Sequence, residues 1–169
     1  GSLKIATRAK RGSGVRRKVL PSAELPRNWA DFLHCAENKT ELFHFLSHRL
    51  VSMHVGANKQ LVVTDGGHVL CTTPDLCALL DPCSHEEADI RMILHVASAT
   101  AAGFSKILIR TVDTDVVVLA IACFHRLSVP VSELWVAFGA GKHLRYLPIH
   151  LLATLLGSDR SCALPFFHA

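Results

Sequence analysis

The sequence predicts an α/β fold, and four stretches predict it. Ser84 and Glu87 form a capping box, so a helix starts at about His85. Its apolar positions Ile90, Ile93, Leu94, Ala97 and Ala101 recur with helical spacing, and Gly103 ends it. Lys106 to Val112 is then a short, mostly apolar run bounded by turn residues, the pattern of a largely buried strand that Arg110 interrupts. Val116 to Ala122 is apolar all round, which fits a buried helix, and Ser132 to Phe138 reads as a second strand.

The remaining elements follow in chain order. Residues 1–20 carry seven bases (Lys4, Arg8, Lys10, Arg11, Arg16, Arg17, Lys18) and no acid, against a formal net charge of +4 for the whole chain. Such a segment suits a polyanion and reads as a basic arm, although a solvated or nuclear-targeting tail has the same composition. After the Leu20-Pro21 and Leu25-Pro26 connectors, Asn28 is a natural N-cap for a short helix with Trp29, Phe32 and Leu33. A longer helix from Asn38 to about His54 sets Leu42, Phe45, Leu46, Arg49 and Leu50 on one stripe. His44 and His48 are four residues apart in it, the spacing at which two imidazoles share a metal. No H-E-x-x-H surrounds them, so surface histidines are expected. Leu61 to Thr64 and His68 to Cys71 flank Asp65-Gly66-Gly67 as a β-hairpin, with Asp65 assigned to the turn. Gly139-Ala140-Gly141-Lys142 is not a phosphate loop, because it lacks the G-x-x-x-x-G-K-[S/T] spacing and no helix follows it. It is a hairpin turn leading to the strand pattern of Leu144 to Ile149, and it offers Lys142, His143 and Arg145 as phosphate contacts. His150 to Leu156 reads as a short helix.

Length and composition restrict the class. The 169 residues, 50% hydrophobic and 19% charged, suit one globular core and exclude disorder of the whole. The six cysteines form no C-x-x-C, which excludes a zinc knuckle or a thioredoxin-type motif, and reduced thiols are expected. No apolar run approaches the roughly 20 residues of a membrane span, and no apolar stretch follows the basic start as in a signal peptide. A nuclear or cytoplasmic location and no membrane partner are the corresponding expectations.

The chemistry concentrates in five carboxylates, Glu86, Glu87, Asp89, Asp113 and Asp115, with no Lys or Arg inside either cluster. Gathered carboxylates repel one another, a cost that a hard divalent cation removes. Asp113 and Asp115 stand at the carboxyl end of a strand, the edge where open α/β sheets place ligands. Capping alone accounts for one acid at each helix start; here a second stands two residues from the first in both places. Glu86 and Asp89 share a helix face, whereas Glu87 and Asp89 do not. Glu87 therefore joins them only through an irregular first turn or the reach of its long side chain.

Glu87-Ala88-Asp89 followed by Asp113-Thr114-Asp115 resembles the E-A-E and D-x-D acidic motifs of the flap-endonuclease branch of the PIN-like 5′ nucleases, with a somewhat longer connection. The stretch S-H-E-E-A-D-I-R-M-I-L-H resembles, more closely still, the transposon-associated PIN-like proteins of animal genomes, and that likeness covers nearly the whole chain. The resemblance implies a three-layer α/β PIN-like fold, with a mainly parallel central sheet flanked by helices, and a metal-dependent phosphodiesterase acting on DNA or RNA. Mg²⁺ or Mn²⁺ would lie on Glu87, Asp89, Asp113 and Asp115, with Glu86 beside them. Ser2-x-Lys4 with Arg8 and Arg11 resembles the basic helix that grips the scissile phosphate in flap endonucleases. The expected organisation is a basic arm or partial basic helix over 1–20 and a PIN-like domain over 21–169. The family also draws acids from strands before the basic helix and from a G-[C/S]-D segment after the part resembling Leu164-Pro165-Phe166-Phe167-His168-Ala169. The domain is thus expected to be truncated at both ends and weak or inactive in cleavage. Asp159, in a G-S-D context, precedes that part and is not expected to substitute. The competing reading is a non-catalytic module that keeps the fold to bind nucleic acid or protein, and a third is a plain dimerising domain.

Overall fold

The computed structural model describes residues 15–53, 56, 58–73, 80 and 88–168. The chain divides into two compact units, with residues 15–73 in the first and 88–168 in the second. The sequence composition suits one core; the main hydrophobic cluster lies wholly within the second unit.

The first unit holds helix α1 (Trp29–His34), helix α2 (Ala36–Ser52) and strands β1 (Val62–Asp65) and β2 (His68–Cys71). Asn28 caps α1, its side chain accepting from the Asp31 amide at 3.3 Å. Phe32 is buried and meets the Trp29 ring edge-on, 5.5 Å between centroids. In α2 the stripe is only partly as expected: Leu42 and Phe45 are half-buried, but Leu46, Arg49 and Leu50 are exposed. The buried positions are Asn38 and Ser47. A two-stranded hairpin covers a narrow side of a helix, so α2 turns that side to it, and the Ser47 hydroxyl donates to the Thr64 carbonyl at 3.4 Å.

Asn38 is 0% exposed and has all four of its hydrogen-bonding positions filled. Its amide donates to the carbonyls of Val15 (2.9 Å) and Phe32 (3.0 Å), and its oxygen accepts from the Arg17 amide (2.9 Å) and the Arg16 guanidinium (3.1 Å). One turn on, Glu41 accepts from the Arg16 guanidinium and from the Val19 amide, and these bonds hold its carboxyl below the usual range. The arm expected over 1–20 is therefore corrected at its inner end, where residues 15–19 are docked along α2. The reason is the buried amide of Asn38, which needs partners and takes them from that backbone. Lys4, Arg8 and Arg11 lie outside the described residues.

Strands β1 and β2 pair antiparallel from Val62↔Cys71 to Asp65↔His68, and Gly66 turns the chain at φ +60°. Cys71 is disulfide-bonded, whereas Cys35, Cys123 and Cys162 are free, which corrects the expectation of reduced thiols throughout. Motif spacing in a sequence does not disclose which sulfurs the folded chain brings within bonding range.

The second unit runs α3 (Ala88–Ala101), β3 (Lys106–Thr111), α4 (Thr114–Phe124), β4 (Glu133–Phe138), a 3₁₀ turn (Gly141–His143), β5 (Arg145–Pro148), α5 (Ile149–Leu156) and α6 (Ser158–His168). The capping box at Ser84 and Glu87 lies outside the described residues. Helix α3 is rotated from the predicted stripe: Val96 and Thr100 are buried, Met92 and Ile93 pack on the core, and Ile90 and Ala101 are exposed. Apolar residues occur on several sides of this helix, so two stripes satisfy the same period. The one adopted has Asp89 at its head, in helical phase with Met92, Ile93, Val96 and Thr100.

Strands β3 and β4 pair parallel, Ile107↔Leu134 through Thr111↔Phe138, and β4 and β5 pair antiparallel, Trp135↔Pro148 through Phe138↔Arg145. Among the described residues the sheet is mixed, with three strands in the order β3-β4-β5, and a mainly parallel sheet is not shown. Only residues 139–144 separate β4 from β5. A parallel return needs about a dozen residues, so the chain comes back antiparallel through two glycines at positive φ, Gly139 (+90°) and Gly141 (+52°).

Ile109, Leu134 and Val136 face Val96, Val116, Ala120, Ile121, Ile149 and Ala153 in the core. Strand β3 alternates instead of being buried on both sides: Lys106, Leu108 and Arg110 are exposed. Across that same face Leu108 (58% exposed) is level with Trp135, and Arg110 with Ala137 and Tyr146 (59% exposed). Among the described residues the fold is thus mixed α/β with helices on one face of the sheet. No described helix is long and apolar enough to cross a membrane.

Candidate metal centre

The chain leaves β3 through a local hydrogen-bond ladder. The Asp113 amide donates to the Thr111 hydroxyl at 3.0 Å, and Asp113 in turn caps α4, its Oδ1 accepting from the Asp115 amide at 3.0 Å. This places Asp113 just before the helix and Asp115 in its first turn, where the helix dipole favours negative charge. Asp89 arrives from the first turn of α3, carried by the face that packs toward α4 and the core. One carboxylate oxygen from each of Asp89, Asp113 and Asp115 lies within 4.8 Å of the other two. Asp113 and Asp115 are exposed and Asp89 is half-buried. Glu86 and Glu87, the other acids of the predicted cluster, lie outside the described residues.

The donor set fits a hard cation. All three groups are carboxylates, the ligands that Mg²⁺ and Mn²⁺ prefer over imidazole or thiolate. With bonds of about 2.1 Å an octahedral ion holds neighbouring oxygens about 3.0 Å apart and opposite ones about 4.2 Å apart. A 4.8 Å span therefore closes on one ion through small side-chain rotations. Capping occupies one oxygen of Asp113, and a carboxylate has a second oxygen with acceptor capacity.

A fourth group stands beside the acids. His168, the last residue of α6, has Nε2 2.9 Å from Asp115 Oδ1. Helix α6 packs against α4, which brings this side chain to a partner 53 positions away in the chain. The sequence reading used His168 only as part of Leu-Pro-Phe-Phe-His-Ala and assigned it no role, because no spacing rule links positions so far apart.

Lys142 and Arg145 come to the same edge of the sheet. Thr111 and Phe138 end β3 and β4 level with each other, and the Gly139 amide donates to the Thr111 carbonyl at 3.1 Å. Lys142 is exposed in the 3₁₀ turn that follows, and the Arg145 guanidinium lies over the Phe138 ring, 5.3 Å from its centroid. Gly139 makes this tight turn possible: a Cβ there would sit 2.6 Å from the His143 carbonyl oxygen, at φ +90°. Gly139→Ala is expected to cost about 2–3 kcal/mol through strain and displacement of the turn. Urea denaturation checks it, and a loss below about 0.5 kcal/mol, the size of an ordinary surface substitution, would contradict it.

No protein-family model, curated protein or solved structure matches this chain.

Proposed function

We propose that this chain carries the ion-holding part of a PIN-like, metal-dependent phosphodiesterase that acts on nucleic acid. The observation that supports it best is the meeting of Asp89, from one helix, with Asp113 and Asp115, from the corner before another. Capping explains Asp113 but gives no reason for Asp89 to approach it. The three-layer arrangement of that family is part of the proposal. Leu108 and Tyr146, exposed on the open sheet face, support it, because apolar side chains there are what a second helical layer covers.

In this reading Asp89, Asp113 and Asp115 hold Mg²⁺ or Mn²⁺, joined by Glu86 or Glu87. A bound ion supplies Lewis-acid stabilisation of charge on the phosphodiester and lowers the proton affinity of water. His168 orients the Asp115 carboxylate through its Nε2 contact. Lys142 and Arg145, at the same sheet edge, neutralise neighbouring phosphates, and the basic composition around Lys4, Arg8 and Arg11 suits the same polyanion.

Mn²⁺ titration followed by electron paramagnetic resonance tests the site. Asp113→Asn with Asp115→Asn keeps a residue that caps as well as Asp at 113 and removes two charges. Mn²⁺ affinity is expected to fall at least about tenfold, the usual scale for losing ligand chemistry at a metal site. Any Mn²⁺-dependent cleavage of labelled single-stranded or flapped substrate should disappear with it. Equal Mn²⁺ binding by the wild-type and doubly substituted chains would overturn the assignment.

A further inference from the structure

The first unit contains a second convergence of metal-binding groups, of different chemistry from the acidic site. His44 Nδ1 lies 2.7 Å from Asp65 Oδ2, and His48 Nε2 lies 3.2 Å from the same oxygen. The two rings, one turn apart on α2, have centroids 4.4 Å apart and are tilted by 59°, so they are not stacked face to face. Asp65 ends β1, where the hairpin packs on α2. The three side chains are 62%, 54% and 16% exposed in the order His44, His48, Asp65. The carboxylate thus sits at the protected base, with the imidazoles opening to solvent above it. One donor atom from each lies within 4.8 Å of the others.

We infer that His44, His48 and Asp65 form a binding site for a first-row divalent transition cation of the Zn²⁺ type. Two imidazoles and one carboxylate are the donor set of three-ligand zinc and non-haem iron sites, with remaining positions open to water. Hard cations such as Mg²⁺ and Ca²⁺ prefer an all-oxygen set, so the nitrogen donors select against them. With bonds of about 2.0–2.1 Å a tetrahedral ion holds its donors about 3.3 Å apart, so the 3.2 Å gap already fits and the 2.7 Å gap needs a slight opening. Entry of the ion at His44 Nδ1 replaces the hydrogen bond to Asp65 and leaves the hydrogen of the neutral imidazole on Nε2. His68 faces Asp65 across the hairpin turn, which puts a further imidazole on the same side of the ladder. Because the ligands come from α2 and β1, the ion would tie helix to hairpin and stabilise the first unit by an amount that rises with the logarithm of the free ion concentration above Kd.

Zn²⁺ and Co²⁺ titrations of the whole chain test the inference. The wild-type chain is expected to take up one equivalent of Co²⁺ with the intense visible bands of a low-coordinate, nitrogen-containing shell, and Zn²⁺ should displace it and raise Tm. Asp113→Asn with Asp115→Asn should leave both signals intact, which separates this site from the acidic one. His44→Ala with His48→Ala, and separately His48→Gln, should each weaken Zn²⁺ binding at least about tenfold and abolish the shift in Tm. The imidazoles are exposed, so circular dichroism should show these variants folded. Unchanged Zn²⁺ affinity in both variants would overturn the inference. So would a folded wild-type chain that binds no Zn²⁺ at equimolar concentration, leaving a hydrogen-bonded His–Asp pair only.

Discussion

Leu134→Ala is expected to destabilise the second unit by about 3 kcal/mol, within the 2–5 kcal/mol typical of emptying a fully buried leucine site. Leu134 is 1% exposed on the central strand of the three, and its neighbours in the cluster come from every layer of the unit. Ile107 stands level with it on β3, while Ile149 and Ala153 on α5 pack in the same core. Those neighbours sit on hydrogen-bonded strands and a packed helix, so they cannot collapse into the space, and the cavity term adds to the lost transfer energy. The two tryptophans make the measurement clean, because Trp29 lies in the first unit and Trp135 in the second. Urea denaturation followed by Trp135 fluorescence, in a Trp29→Phe background, should show the shift; a loss under about 1 kcal/mol would mean the site repacks.

Asn38→Ala is expected to cost the first unit a similar amount, about 3 kcal/mol, without emptying a hydrophobic core. Each of its four bonds contributes about 0.5–1.5 kcal/mol net, and truncation also strands buried partners that water replaces poorly. The carbonyl of Phe32 is one such partner, joined through a bond buried at both ends. The remaining three bonds tie Val15, Arg16 and Arg17 to α2. Trp29 fluorescence in a Trp135→Phe background reports this unit. A cost below about 1 kcal/mol would show that other contacts, such as those of Glu41, hold residues 15–19 in place.

Much of the local structure could be read before the fold was known, because local rules decide it. Asn28 starts a helix, Gly66-Gly67 turns a hairpin, and Asp113 stands where a strand gives way to a helix, each from the chemistry of a few neighbouring residues. What failed to show depended on which faces were to be covered. Leu46 and Leu50 satisfy a helical stripe, yet nothing in their spacing reveals that the hairpin meets α2 on the side of Ser47. Ile90 and Val96 are equally apolar, and only packing chooses the stripe headed by Asp89. The mainly parallel sheet came with the family resemblance, whereas among the described residues the six-residue link before Arg145 brings β5 back antiparallel. The site divides in the same way. The acids of Asp-Thr-Asp declare themselves, whereas His168 beside Asp115, and Asp65 between His44 and His48, are meetings that no local pattern announces.

Asp113 caps a helix and also belongs to the acidic cluster, and these two duties differ in what they require. Capping asks for a short side chain with an acceptor, which Asn supplies as well as Asp; holding a cation asks for charge. The two demands are therefore separable. Asn in place of Asp113 would keep the cap and the architecture while removing one of the three charges that the proposed ion needs. At position 113 an amide would fold as well as a carboxylate, so the proposed ion site and the fold can be lost separately.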